Sequence, residues 1–237
     1  MSDRYFSAAP IGSERAVLEG PEAHHLLHVM RARAGDRLTL FDGSGDEFTA
    51  EVVECGRNTV EFAILEQHEC DRELPFSLTL AVALPKGDRQ KWLVEKATEL
   101  GVTRLIPLET GRGVAQPGEA ALVRMRRTVV EASKQCGRNR LMGLDPPQPW
   151  EAFIREPGDS ATRLLAHPGL AEMSEVVGQI HQAGAVTIAI GPEGGFTDDE
   201  VADALGAGWL AVDLGRRILR VETAAIAFSA MVIGCRA

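Results

Sequence analysis

Glycine-rich turns between a strand and a helix often cradle a nucleotide, and Gly191-Pro192-Glu193-Gly194-Gly195 stands in such a place. The apolar run Ile188 to Ile190 precedes it. Thr197-Asp198-Asp199-Glu200 follows in capping-box spacing, where a threonine and a glutamate three residues later satisfy each other's backbone donors at a helix start. Strand, loop and helix in that order suit a phosphate, which the unpaired amides and dipole of a helix N-terminus attract. The residues themselves argue otherwise. A P-loop closes on Lys-Ser or Lys-Thr, whereas this loop closes on Gly195-Phe196-Thr197. A dinucleotide fingerprint needs GxGxxG, and GPEGGF lacks that spacing. Glu193 also places a carboxylate where phosphate would be repelled, so a cationic ligand, or one with an uncharged tail, fits better.

A second segment, Asp213 to Ala225 (DLGRRILRVETAA), repeats the order of strand, glycine, irregular turn and helix. Ligands of open parallel sheets sit in the crevice outside the carboxyl ends of the strands. These two loops, with a third at His167-Pro168-Gly169, are therefore expected on one sheet edge. A tight turn without a ligand accounts for GPEGG alone, but much less well for the pair of segments.

The elements that must position these loops fall into two groups. A chain of 237 residues with 45% hydrophobic content can form one large core, or a medium domain with a small companion. Up to about residue 70 the pattern is of short alternating strands: RLTLFDG and FTAEVVEC flank Gly43-Ser44-Gly45, and TVEFAILEQ follows Gly56-Arg57-Asn58. One short helix, PEAHHLLHVMR, interrupts them, with Pro21 suited to its first turn. This is the pattern of a small β-barrel-like module ending near residue 72.

Beyond it, strand and helix alternate. SLTLAVAL, TRLIPL, ATRLLAH, AVTIAI and LAVDL read as buried strands, and DRQKWLVEKATELG as an amphipathic helix stopped by Gly101. Leu93, Ala97 and Leu100 share one apolar face of it, and Trp92 at the edge of that face reads as core. Further helices are expected near Glu119 to Gln135, Leu170 to Gln182 and Asp198 to Leu205. The alternation implies a parallel sheet with helices on its faces. TAAIAFSAMVI, from Thr223 to Ile233, has no charged residue and no polar stripe, so its own domain or a second subunit must cover it. A Rossmann-type reading is disfavoured, because its glycine motif belongs after the first strand, and SLTLAVALPKGDRQ contains a single glycine.

The formal net charge of −9 argues mildly against a nucleic-acid partner. The basic residues nevertheless cluster at Arg31, Arg33 and Arg37; at Arg124, Arg126 and Arg127; at Lys134, Arg138 and Arg140; and at Arg216, Arg217 and Arg220. Solvated helix faces would explain any one of these. Cys55, Cys70, Cys136 and Cys235 are widely spaced, with no CxxC pair and no histidine at ligand spacing. They read as reduced packing residues, and no metal is expected. The N-terminal MSDRYFSAAPIGSER has the character of neither a signal nor a transit peptide, and no apolar run reaches membrane-spanning length, so a cytoplasmic protein without a membrane partner is expected.

IGPEGGFTDDE followed by LGRRILRVETAA closely resembles the signature of the RsmE family, bacterial 16S rRNA uracil-N3 methyltransferases of the SPOUT superfamily. LPKGDRQKWLVEKATELGV (84–102), EASKQCGRNR (131–140) and HHLLHVMRARAGDRLTLFDGSG (24–45) resemble that family's segments in the same order. The resemblance implies an N-terminal PUA-like β-barrel for RNA over residues 1–72. It also implies a SPOUT methyltransferase domain over 73–237, an α/β fold whose parallel sheet carries a trefoil knot. A homodimer, 16S rRNA or the small ribosomal subunit as partner, and S-adenosylmethionine as cofactor are implied as well. That cofactor is cationic at sulfur and carries no phosphate, which suits the carboxylate of Glu193. The family's cofactor site maps onto Leu165, His167, Gly191, Pro192, Glu193, Gly194, Leu214, Gly215, Ile218, Leu219 and Arg220. Its RNA-contacting segments contain Arg4, Arg31, Arg33, Lys86, Arg89, Arg138 and Arg140. Val221, Met142 and His28 depart from the family pattern; the first two read as packing changes.

N3 of uracil carries a proton at neutral pH, so methylation there needs either a base or electrostatic stabilisation of the anion. Arg220 is the first candidate for that stabilisation, or for gripping a phosphate. Glu222 is a candidate base, although a carboxylate at a helix start is stabilised by the dipole and is equally well read as structural. Two alternatives are a SPOUT enzyme acting on tRNA or a ribose 2'-hydroxyl, and a non-catalytic RNA-binding adaptor.

Overall fold

The computed structural model describes residues 4–156 and 161–236. The first three residues of the stretch read above for a targeting signal lie outside the described residues. The chain divides into two compact units, Met1–Glu73 with Val130–Leu141, and Leu74–Val129 with Met142–Ala237.

In the first unit, β1 (Arg4–Phe6), β2 (Arg15–Leu18), α1 (Gly20–His24), β3 (Arg37–Phe41), β4 (Asp46–Cys55) and β5 (Val60–Glu69) follow in sequence. The sheet order is β1-β3-β4-β5-β2, antiparallel except for the parallel β1–β3 pair. Alternate residues point inward: Leu38 and Leu40, Phe48, Ala50 and Val52, Val60 and Phe62. Tyr5 and Leu18 from the two outer strands join the same cluster, so the sheet curls round it as a half-barrel. Pro21 occupies the first turn of α1 as expected, but from His25 to Met30 the helix widens into a π turn. Leu26 is thereby buried while the rings of His24 and His28 stack 4.5 Å apart on the exposed side. Arg31 ends the segment at φ +57, a left-handed conformation that no other non-glycine residue adopts among the described residues.

Arg4, in β1, is buried. Its Nη1 donates to Glu47 Oε2 at 2.7 Å and its Nη2 to Asn139 Oδ1 at 2.5 Å. Arg72 Nη1 donates to the same Glu47 oxygen at 2.9 Å. Arg72 first, and then Arg4, holds the Glu47 carboxyl at about 2 against the opposing effect of burial. A carboxylate depressed in the folded state stabilises above its ordinary value and ceases to do so as it protonates. The first unit is therefore expected to lose stability as pH falls from 4.5 towards about 2. In denaturation at a series of pH values, Glu47→Gln should be the less stable protein at neutral pH. Its deficit should vanish at the acid end of that window; a constant deficit would contradict the account.

The second unit contains β6 (Ser77–Val82), α2 (Arg89–Glu99), β7 (Arg104–Glu109), α3 (Glu119–Cys136), β8 (Gly143–Leu144), β9 (Gln148–Pro149) and α4 (Trp150–Phe153). It continues with β10 (Ala161–Glu172), α5 (Met173–Gln182), β11 (Ala185–Ile190), α6 (Asp198–Gly206), β12 (Leu210–Asp213) and α7 (Val221–Gly234). The last turns of α3, from Val130, count with the first unit. The sheet runs β12-β10-β11-β6-β7-β8, with β9 also pairing with β7, and every pairing is parallel. One face of it is covered by Trp150, Phe153, Phe196 and Trp209, which pack over Ala81, Ile106, Leu165, Ala189 and Ala211. α7 packs on β6, β11 and α2.

Three expectations need correction, and the one that left the covering of the last helix open is narrowed. Trp92 is 43% exposed, because the buried face of α2 is set by Leu93, Val94, Ala97 and Thr98, and Trp92 lies beyond its edge. None of the four cysteines is buried, and Cys55 is exposed on a strand end, so they are free thiols but not core residues. The strand expected to end at His167 resumes at Ala171 and pairs through Glu172, which delays α5 to Met173. α7 buries Val221, Ala225, Phe228 and Val232 but leaves Thr223, Ala230 and Met231 exposed, so its own unit covers only one side.

Candidate functional site

Because the strands are all parallel, the loops after β12, β10, β11, β6 and β7 leave the same edge of the sheet, side by side in that order. Two of the loops singled out by sequence lie here, and the third, His167–Gly169, is an irregularity within β10 held beside the end of β12. GPEGG follows β11 as a turn closed by Gly195 N donating to Pro192 O at 2.8 Å, with Gly195 at φ +69. The capping box then forms as expected: Glu200 N donates to Thr197 Oγ1 at 3.2 Å, and Thr197 N to Glu200 Oε2 at 2.7 Å. Gly191 is needed for space, since a Cβ there would stand 2.9 Å from Phe196 Cδ2 and 3.0 Å from Phe196 N.

Arg89 organises the centre of the edge. It is the first residue of α2, where the helix dipole disfavours a cation. Two carboxylates offset this. Glu193 Oε1, in the GPEGG turn, accepts from Arg89 Nη2 at 3.2 Å, and Glu222 Oε2, in the first turn of α7, lies 3.5 Å from Arg89 Nη1. Glu222 is buried, and its Oε2 is sealed from solvent without a hydrogen-bond partner among the described residues. It serves as a counter-ion beneath Arg89, not as an exposed proton acceptor at that oxygen. Arg220, the N-cap residue of α7, is exposed, and its side chain has no partner among the described residues.

Three further braces hold these loops. Arg112 Nη1, in the loop after β7, donates to Gly194 O at 2.9 Å and Phe196 O at 3.2 Å, holding the GPEGG turn from outside. Glu200, besides closing the capping box, accepts from Gly111 N at 2.7 Å. Asp213 accepts from Gly169 N at 2.9 Å and from Gly215 N at 2.8 Å. The Arg112 and Glu200 contacts join residues more than eighty positions apart, which no local pattern reveals. An aspartate two residues before a glycine is a recognised turn signal and marks Asp213 after the fact.

The remaining cofactor-loop positions are distributed as follows. Leu165 is fully buried beneath the edge and Pro192 is buried; Gly191, His167, Leu214 and Leu219 are half-buried; Gly194 and Gly215 are exposed. Ile218 is 98% exposed, so no contact within this chain fixes it. Of the basic residues expected to meet RNA, Arg31, Arg33, Lys86 and Arg140 are exposed. Arg4 and Arg138 are buried, the latter ion-paired with Glu73, and Arg89 is engaged with its two glutamates. Among the described residues no group of three or more His, Cys, Asp or Glu is placed to hold a metal ion, and no helix is long and apolar enough to cross a membrane.

The edge thus presents free backbone and apolar side chains, with Glu193 held by Arg89 and Glu222 sealed beneath it. No atom lies within 4 Å of a Cβ placed on Gly169, Gly195 or Gly215, so ligand atoms can approach the backbone of all three loops. Such a surface fits a small ligand held by backbone hydrogen bonds and apolar contacts.

Comparison with known proteins agrees with this chemistry. The family described as RNA methyltransferase domain matches residues 72–233, and the RNA methyltransferase PUA domain family matches residues 18–65. Ribosomal RNA small subunit methyltransferase E of Synechocystis is 34% identical over 206 residues, covering 86% of this chain and 67% of the relative. The crystal structure of ribosomal RNA small subunit methyltransferase E from Neisseria gonorrhoeae bound to S-adenosylmethionine is similar with a TM-score of 0.91 at 30% identity, over 100% of this chain and 98% of that one. A putative methyltransferase from Legionella pneumophila, in complex with the same cofactor, is similar with a TM-score of 0.91 at 31% identity and the same coverage.

Proposed function

We propose that this chain, which belongs to the RsmE family of small-subunit ribosomal RNA methyltransferases, transfers the methyl group of S-adenosylmethionine to N3 of a uridine in 16S rRNA. The observation that carries this reading is the placing of the GPEGG turn, the Leu214–Arg220 loop and the His167 segment on one sheet edge, with open backbone at Gly169, Gly195 and Gly215. Leu165, His167, Gly191, Pro192, Glu193, Gly194, Leu214, Gly215, Ile218, Leu219 and the backbone of Arg220 would hold the cofactor, which when bound supplies an electrophilic methyl group on a sulfonium. The chain passing through itself as a trefoil knot, a homodimer closing over the open side of α7, the small ribosomal subunit as substrate and a cytoplasmic location belong to the same reading. Residues 1–72 act as the RNA-contacting PUA-like domain and 73–237 as the methyltransferase domain.

Most of the rate comes from positioning, since an in-line displacement needs the nucleophile held at near-attack distance opposite the methyl group. The proton on N3 is the remaining difficulty. With the Glu222 oxygen sealed beneath Arg89, the N3 proton leaves to solvent water, and the exposed guanidinium of Arg220 assists by stabilising the negative charge that develops on a uracil carbonyl. Glu222 contributes by fixing Arg89, and Arg89 by fixing Glu193. Arg31, Arg33, Lys86 and Arg140, being exposed, grip RNA phosphates, while Arg4 and Arg138 act within the first unit.

Mass spectrometry of 16S rRNA nucleosides from cells with and without this protein tests the proposal. N3-methyluridine should disappear on deletion and return with the gene. Its persistence would remove the specific reaction while leaving the family membership in place.

A further inference from the structure

We propose that Asp213 is a positioning residue for the cofactor, its one carboxylate pinning two separate cofactor loops to each other. This rests on the reading that the loops at His167–Gly169 and Leu214–Gly215 hold S-adenosylmethionine. Asp213 is the last residue of β12, the outermost strand of the sheet. Its Oδ1 accepts from Gly215 N at 2.8 Å, shaping the turn that follows its own strand. Its Oδ2 accepts from Gly169 N at 2.9 Å, in the loop of the neighbouring strand.

The second bond matters because little else holds that loop. β10 pairs with β12 up to Ala166 and again from Ala171, so the intervening backbone leaves the ladder. Gly169 lies at φ +76 and Gly215 at φ +108, in the left-handed region that suits glycine, and neither has a neighbour within 4 Å on its side-chain side. Two loops centred on left-handed glycines have wide conformational freedom, and ordering them on binding would weaken affinity. The carboxylate removes that freedom in advance. The two backbone donors, helped by His167, hold the Asp213 carboxyl below the usual aspartate range. Asparagine is no substitute: it offers one carbonyl oxygen, and its amino group would face a second donor. His167 on one loop and Leu214 and Gly215 on the other are the positions the pin brings together.

Calorimetric titration of the whole protein with S-adenosylmethionine, together with thermal denaturation of the ligand-free protein, tests the proposal on wild type, Asp213→Asn and Asp213→Ala. Both variants should bind about tenfold more weakly or worse, the scale of a lost charged hydrogen bond. The ligand-free melting temperature should move by no more than about 3 °C, the scale of 1 kcal/mol for a chain of this size. In turnover assays KM for the cofactor should rise while kcat at saturation is kept. Hydrogen exchange at Gly169 should quicken in the variants, a readout that does not depend on the ligand. Unchanged affinity in Asp213→Asn would overturn the proposal while leaving the cofactor reading intact, as would a lowered melting temperature with unaltered affinity. Failure of the wild type to bind would overturn the cofactor reading itself, and the pin with it. Should Asp213→Ala fail to fold, Asp213→Asn, which keeps one acceptor, decides the matter.

Discussion

Replacing Arg220 by alanine should leave a folded protein that still binds S-adenosylmethionine but turns over about 10²- to 10³-fold more slowly, the cost of removing one preorganised donor to a developing anion. The side chain is exposed and has no partner among the described residues, so the fold does not depend on it. As the N-cap residue of α7 it also sits where the helix dipole opposes a positive charge. A cation that neither packs nor pairs, kept at an electrostatically unfavourable place on the site's edge, is the kind of local inconsistency that functional sites carry. Single-turnover methyl transfer to 16S rRNA, with thermal denaturation as the control for folding, measures the effect. Normal turnover would remove Arg220 from the chemistry. Arg220→Lys should recover only part of the rate, because a point charge lacks the planar fork of donors.

Gly191→Ala should abolish cofactor binding through geometry alone. The added methyl would lie 2.9 Å from Phe196 Cδ2 and 3.0 Å from Phe196 N. The ring is locked against Trp150, with centroids 4.4 Å apart, and the amide belongs to the backbone leading into α6, so neither can yield without opening the turn. Overpacking of this kind costs about 1–3 kcal/mol. Because the same turn presents Glu193 and Gly194, affinity for S-adenosylmethionine should fall by well over tenfold, more than about 1.4 kcal/mol. Titration calorimetry beside thermal denaturation separates the two losses. Cofactor affinity within a factor of two or so of wild type would show that the turn does not shape the site.

The parallel sheet was legible because its strands are buried on both faces and stand out as nearly continuous apolar runs such as Leu78 to Leu84 and Val186 to Ile190, each broken by a single threonine. The capping box at Thr197 was legible because both partners lie within one turn. Contacts closed by the tertiary fold were not. Arg4 and Arg138 look in sequence like any other arginine, yet Arg4 meets Asn139 across 135 positions and both side chains are buried. Charge marks a residue as able to meet phosphate; only the fold decides whether the protein has already supplied its counter-ion. Arg89 makes the same point inside the site, where Glu193 and Glu222 claim it from two different loops. Trp92 shows the converse error. One hydrophobic residue at the edge of an amphipathic face cannot be placed by spacing, and a rotation of one position along α2 separates it from buried Leu93.

The one-sided burial of α7 has a thermodynamic counterpart. In the proposed dimer, a second copy closing the open side of this helix would make unfolding a dissociation as well as a loss of structure, and mass action would enter the equilibrium. Dilution would then lower the melting temperature, whereas for a self-sufficient chain it would not move. The part of Met231 that its own chain leaves exposed, 36%, would then count towards stability only through the concentration of its partner.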